Sequence, residues 1–274
     1  MKAVGYFALS CVLLVLTSMA FAAPKTNQIK IRYVPPVNPE HQVLYDTATE
    51  RRMLERLQEF LSPFKLPRSL ILELAGCDGE ADAFYGDNVI TICYEYAAEL
   101  WKNRPGETTP GGVAPFDAFR GPLVDTCLHE FAHALIDLFE LPVFGRMEDA
   151  ADQISAYIYL QLDLEDARRL IGGTAYAFLS EAADEDLLSL AEFADDHSLP
   201  AQRAYNVLCM AYGADKEYFS DLVSKGYLPT ERAEFCEEEY EQIQDAFDEL
   251  IGPHVDRKLA RKVYKKDLLS EPVK

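Results

Sequence analysis

Apolar positions along the chain change their period. Near the N-terminus they alternate or run in short blocks, and later they recur every three to four residues. Residues 29–34, 69–74, 83–85 and 89–94 read as strands. The last two face each other across Gly86-Asp87-Asn88, which is turn chemistry for a hairpin. Between them, 44–61 carries Leu44, Met53, Leu54, Leu57, Phe60 and Leu61 at helical spacing. A short helix is expected at 96–102. Residues 103–122, rich in Pro and Gly, read as a long loop that either borders the cleft or is an ordinary surface excursion.

From there the pattern is helical: 123–140, 147–162, 164–171, 175–194, 200–212, 215–224 and 230–250. In the last, Cys236, Tyr240, Ile243, Phe247 and Leu250 form one apolar stripe. No internal repeat or low-complexity segment is present. The expectation is an α+β fold of one domain over 23–274, β-rich through 122 and mostly helical from 123.

The first residues do not belong to that domain. Lys2, an apolar run over 4–16 and Ala20-Phe21-Ala22 read as a signal peptide over 1–22, cut before Ala23. The apolar run is shorter than the roughly 20 residues of a spanning helix, and no later segment is long and apolar enough to cross a bilayer. An exported protein, periplasmic or secreted, is expected.

Composition narrows the partners. Lys and Arg total 26 against 46 Asp and Glu, a net charge of −20. Such a chain repels nucleic-acid phosphates, so no nucleic-acid function is expected. The basic stretch 257–266 reads as a solvated amphipathic helix. Export permits disulfides. Cys77 with Cys93 and Cys209 with Cys236 are the candidate pairs, which leaves Cys127 as a buried thiol.

The chemistry centres on His129-Glu130-Phe131-Ala132-His133. Histidines four apart share one helix face, so both imidazoles reach one ion. Glu130 beside them can take a proton from an activated water. The surrounding helix is apolar, and two buried imidazoles beside a carboxylate are costly without a cation. A catalytic zinc needs a third protein ligand. Glu148, Asp149 and Asp152 open the next helix. Glu148 is the preferred ligand. Asp152, one turn on, is then the acceptor for the free N–H of a ligating histidine. Asp149 points elsewhere and is the weaker candidate.

Peptide hydrolysis also needs a donor for the developing oxyanion. His197, oriented by Asp196, is the candidate, with Arg203 and Tyr205 as alternatives. His41 and His254 read as structural or exposed.

The H-E-x-x-H motif followed by E-x-x-A-D resembles the gluzincin peptidases. That resemblance implies a zincin-like fold, one Zn²⁺ held by His129, His133 and Glu148, and Asp152 behind a histidine. The CAAX-processing membrane peptidases are also similar, but they have spanning helices. More closely, nearly the whole mature chain resembles the bacterial metallopeptidase-like family catalogued as a domain of unknown function. The matching segments are 83–85, 92–95, 129–136, 141–153 and 196–209. The 14 residues between His133 and Glu148 are fewer than in better-known gluzincins. A spacing of 18 would select Asp152 as the ligand instead. By analogy with zincins, the strand at 89–94 is expected to be the edge along which an extended peptide lies.

The function expected is hydrolysis of a peptide or protein substrate. The alternative is an exported, non-catalytic zinc protein that binds peptides or a partner in the same cleft. Substrate preference and oligomeric state are not specified by these residues.

Overall fold

The computed structural model describes residues 28–184 and 192–266. The predicted signal peptide and its cleavage site lie outside them, as does part of the helix expected at 175–194.

Four strands form one mixed sheet in the order β1-β2-β4-β3. They are β1 (Ile29–Tyr33), β2 (Leu70–Ala75), β3 (Ala83–Gly86) and β4 (Val89–Cys93). β1 and β4 flank β2 in parallel, and β3 pairs antiparallel with β4. The turn residues Asp87 and Asn88 both have positive φ, as the tight β3–β4 hairpin requires. β4 is therefore interior to the sheet, and the edge strand on its side is β3. This corrects the expectation for 89–94: strand order is set by non-local pairing, which the local pattern does not encode.

The helices are α1 (Gln42–Glu50), α2 (Met53–Leu61), α3 (Tyr94–Asn103), α4 (Pro115–Leu138), α5 (Met147–Tyr159), α6 (Leu164–Asp184), α7 (Pro200–Ala214), α8 (Ser220–Ser224), α9 (Thr230–Ala233), α10 (Cys236–Leu250) and α11 (Arg257–Val263). The helix expected at 44–61 is two helices, because Arg52 adopts a left-handed conformation at φ 54°. The one expected at 230–250 likewise divides into α9 and α10, and only 220–224 of the stretch 215–224 is α-helical.

Two differences bear on the site. α4 begins at Pro115 and runs through Gly121 and Pro122, so the loop before it is 104–114 rather than 103–122. α6 is continuous through Gly172-Gly173. Both follow from one contact. A Cβ on Gly173 would lie 1.9 Å from the Asp117 carbonyl oxygen, and one on Gly121 would lie 2.6 Å from the Thr174 nitrogen. The glycines let the backbones of α4 and α6 meet where other residues would hold them apart. Pro122 removes one helical donor, and α4, buried on several sides, continues through the gap.

α4 is the central element. Leu128, Phe131, Ala134 and Leu135 are fully buried in a core shared with the sheet, α5, α6 and α7. Disulfides Cys77–Cys93 and Cys209–Cys236 tie the end of β4 to the loop after β2, and α7 to the start of α10. Their Cα atoms are 5.5 and 5.0 Å apart, ordinary for disulfides. Cys127 is a free, buried thiol whose pKa burial pushes up to about 12. Among the described residues, no helix is long and apolar enough to cross a membrane.

Candidate metal centre

His129 and His133 stand one turn apart on α4, with their Nε2 atoms 3.1 Å apart. Helix α5 enters beside them. Its first turn brings Glu148 Oε2 to 2.9 Å from His129 Nε2 and 3.1 Å from His133 Nε2. Three atoms with lone pairs thus meet in one small triangle, lined by buried or partly buried side chains.

The other end of the His129 ring fixes its protonation. Nδ1 lies 2.8 Å from Asp152 Oδ1, an acceptor-only carboxylate, so Nδ1 carries the proton and donates. In the neutral ring Nε2 then faces Glu148 and His133 as a lone pair. Asp152 is held in turn by Arg203, which donates from Nε to Oδ2 at 2.8 Å and from Nη2 to Oδ1 at 2.7 Å. The guanidinium lies over the Phe178 ring, 4.4 Å from its centroid.

The electrostatics ask for a cation. Burial disfavours a charged His129. Hydrogen bonds to Asp152 and Glu148 outweigh that, and raise its pKa to about 10. Burial and the His129 charge push His133 the other way. The His129 hydrogen bond holds Glu148 down at about 2, against some desolvation. Burial opposes ionisation of Asp152, but His129 and Arg203 keep it at about 2. Glu148 and Asp152 are therefore charged at neutral pH and favour positive charge at the triangle. A divalent ion fits this set: two imidazole nitrogens, one carboxylate oxygen, and the Asp152 carboxylate behind His129 to orient it.

Glu130 is 7% exposed and lies beside the triangle rather than in it. It accepts a hydrogen bond from the backbone N–H of Tyr85 on edge strand β3. Burial, partly offset by His129 and reinforced by Glu148, lifts its pKa to about 7. A carboxyl in that range both takes and releases protons at neutral pH.

The segment before α7 covers one side of the site. His197 Nε2 lies 3.0 Å from Glu148 Oε2, and its ring stacks on His129 at 5.9 Å between centroids. Arg146 Nη1 donates to the His197 carbonyl oxygen at 3.1 Å. Ser198 Oγ donates to Asp149 Oδ1 at 2.6 Å. Asp149 thus fastens the His197 segment and does not join the triangle.

Of the alternative oxyanion donors, Arg203 is committed to Asp152 through two N–H groups, so that expectation is corrected. Tyr205 is partly exposed and makes no hydrogen bond with the triangle among the described residues. Asp196 Oδ1 lies 3.4 Å from His197 Nδ1. Its neighbour Asp195 is also in place, at 3.3 Å from Nδ1 and accepting the His197 backbone N–H at 2.9 Å. Asp195 went unnoticed in the sequence, although its adjacency to Asp196 was the available signal. Tyr85 left no signal, because any residue there would offer the same backbone donor.

A family model described as "Putative metallopeptidase" matches residues 33–251. No curated protein and no solved structure matches the chain.

Proposed function

Because the chain belongs to the "Putative metallopeptidase" family, we propose that it is an exported, zincin-like peptidase that hydrolyses peptide bonds with one zinc ion. The observation that carries this reading is the triangle of His129 Nε2, His133 Nε2 and Glu148 Oε2, with sides of 2.9–3.1 Å. Those three atoms are the ligands. Asp152 keeps the His129 proton on Nδ1, so that Nε2 stays free to coordinate.

Two imidazoles and one carboxylate suit zinc better than the all-oxygen sets of magnesium or calcium. Three protein ligands leave a position open to water or substrate, as a catalytic zinc requires. When bound, the ion supplies Lewis acidity, which polarises the scissile carbonyl and acidifies a nearby water.

The chain's own groups do the rest. Glu130 removes the proton from the attacking water and delivers it to the leaving amine. The Tyr85 amide holds its carboxylate towards the site. His197, braced by Asp195 and Asp196, turns its Nε2 N–H from Glu148 Oε2 to the developing oxyanion. An extended substrate lies along the outer edge of β3, passing the carboxylate of Glu130. The two disulfides and the N-terminal apolar segment are consistent with export.

The rival is a zinc-binding protein without catalysis. It would need the same ligands but has no use for a base, so Glu130→Gln separates the two. We expect purified protein to hold one zinc per chain by elemental analysis and to cleave unstructured peptides. Glu130→Gln keeps the metal and loses about 10²–10⁴-fold in rate. Cleavage unchanged in that variant would rule out the mechanism, and native protein with no affinity for zinc would rule out the site.

A further inference from the structure

A second concave site lies at the far end of α5 from Glu148, about 15 Å along the helix axis by its rise per residue. It is a cavity of about 210 Å³ between α5, α10 and α11. Its floor is apolar and closed: Phe64, Tyr157, Ile158 and Tyr264 are each less than a tenth exposed. Its rim carries the exposed Arg257 and Arg261 on successive turns of α11, with Asp248 of α10 beside them.

Two unmet polar groups mark it as more than a packing defect. Tyr264 packs its ring against Phe60 in a tilted pair, 4.8 Å between centroids, yet its hydroxyl has no hydrogen-bond partner among the described residues. Burial alone pushes its pKa up. A hydroxyl that lines a cavity with no protein partner gains when a ligand brings an acceptor. Arg257 is paired with Asp248 at 2.8 Å, whereas Arg261 has no acidic partner among the described residues. On a chain of net charge −20, Arg261 places a guanidinium beside an apolar cavity.

Size fixes the ligand class. Pockets for drug-sized molecules run to about 300–1,000 Å³, so this one takes a group the size of one amino-acid residue. We infer that the cavity binds an apolar or aromatic residue bearing a free carboxylate: the side chain enters between Phe64 and Tyr264, and the carboxylate meets Arg261. The C-terminus of a peptide and a free N-acylated amino acid share this chemistry. The inference does not depend on the metal site.

The test is calorimetric titration of the full chain with N-acetylphenylalanine and with its amide, in zinc-loaded and chelator-treated protein. We expect the carboxylate to bind about tenfold tighter than the amide, the size of one charge-assisted hydrogen bond, with or without the metal. Arg261→Gln should abolish the preference while the melting temperature stays unchanged. Tyr264→Phe should weaken binding of the acid severalfold. A tripeptide ending in phenylalanine that binds equally well identifies the source as a peptide C-terminus; binding of the small acid alone identifies a free acid. Equal affinity for acid and amide, a preference that survives in folded Arg261→Gln, or no binding of either ligand would overturn the inference.

Discussion

Asp152 is shared between His129 and Arg203. One carboxylate accepts from the imidazole Nδ1 at 2.8 Å and from two guanidinium nitrogens at 2.7 and 2.8 Å. The arginine therefore acts on the centre through the carboxylate. Removing it leaves a buried anion with one partner fewer, and the charge that positions the His129 ring is less tightly held. Partners at this remove commonly change metal affinity by about 10–100-fold. Arg203→Met is expected to weaken zinc binding by that factor, read by competition with a chromophoric chelator. Arg203→Lys, which keeps the charge and loses the fork, should fall between.

The α4–α6 crossing yields a pair of opposite predictions on adjacent residues. Gly173→Ala puts a methyl 1.9 Å from the Asp117 carbonyl oxygen, a backbone atom that cannot step aside. It should cost about 3 kcal/mol or more in urea unfolding. Gly172→Ala meets only the Val113 side chain at 3.6 Å. In that case the gain in helix propensity should dominate, stabilising by up to about 1 kcal/mol.

Each disulfide should hold part of the stability. The Cys209–Cys236 loop spans 27 residues and the Cys77–Cys93 loop 16. The loop-entropy relation gives about 3 kcal/mol for either. Replacing Cys209 and Cys236 together with Ser should lower unfolding free energy by about that amount, and a reducing agent should then lower it again through the remaining bridge.

Asp125 provides a pH signature away from the ligands. It is buried, accepts from Ser155 Oγ at 2.8 Å, and burial followed by the Asp152 charge lifts its pKa from 3.8 to about 6. A folded-state pKa above the unfolded one favours the fold below about 3.8, and that contribution is lost as pH rises through about 6. Asp125→Asn retains an acceptor and cannot ionise. The stability of the variant relative to the native chain should therefore rise between about pH 4 and pH 6 and then level off, by on the order of 1–3 kcal/mol. Urea denaturation at several pH values measures it, and a flat difference would contradict it.

What could be read from the sequence was local. The period-four histidines, the one-turn spacing of Glu148 and Asp152, and the turn at Asp87-Asn88 each depend on neighbours in the chain. The structure brings the residues they name together. What could not be read was pairwise and distant. Gly121-Pro122 and Gly172-Gly173 look like two breaks, and only their meeting explains why both lie inside helices. The rank of β4 within the sheet depends on β2 and β3 together. Arg203 is indistinguishable in sequence from a free donor until Asp152 is found against it. The amide of Tyr85 carries no side-chain signature at all.

The glycine crossing also sets a measurement inside the protein. α6 is seated on α4 by backbone contact at Gly173, without the give of interposed side chains. Phe178, five residues further along the same rod, is the plate on which the Arg203 guanidinium rests. The height of that guanidinium above the histidines is therefore gauged from a hard stop, about 7.5 Å away along the axis. The Asp152–His129 contact thus has its alignment datum in two residues with no side chain.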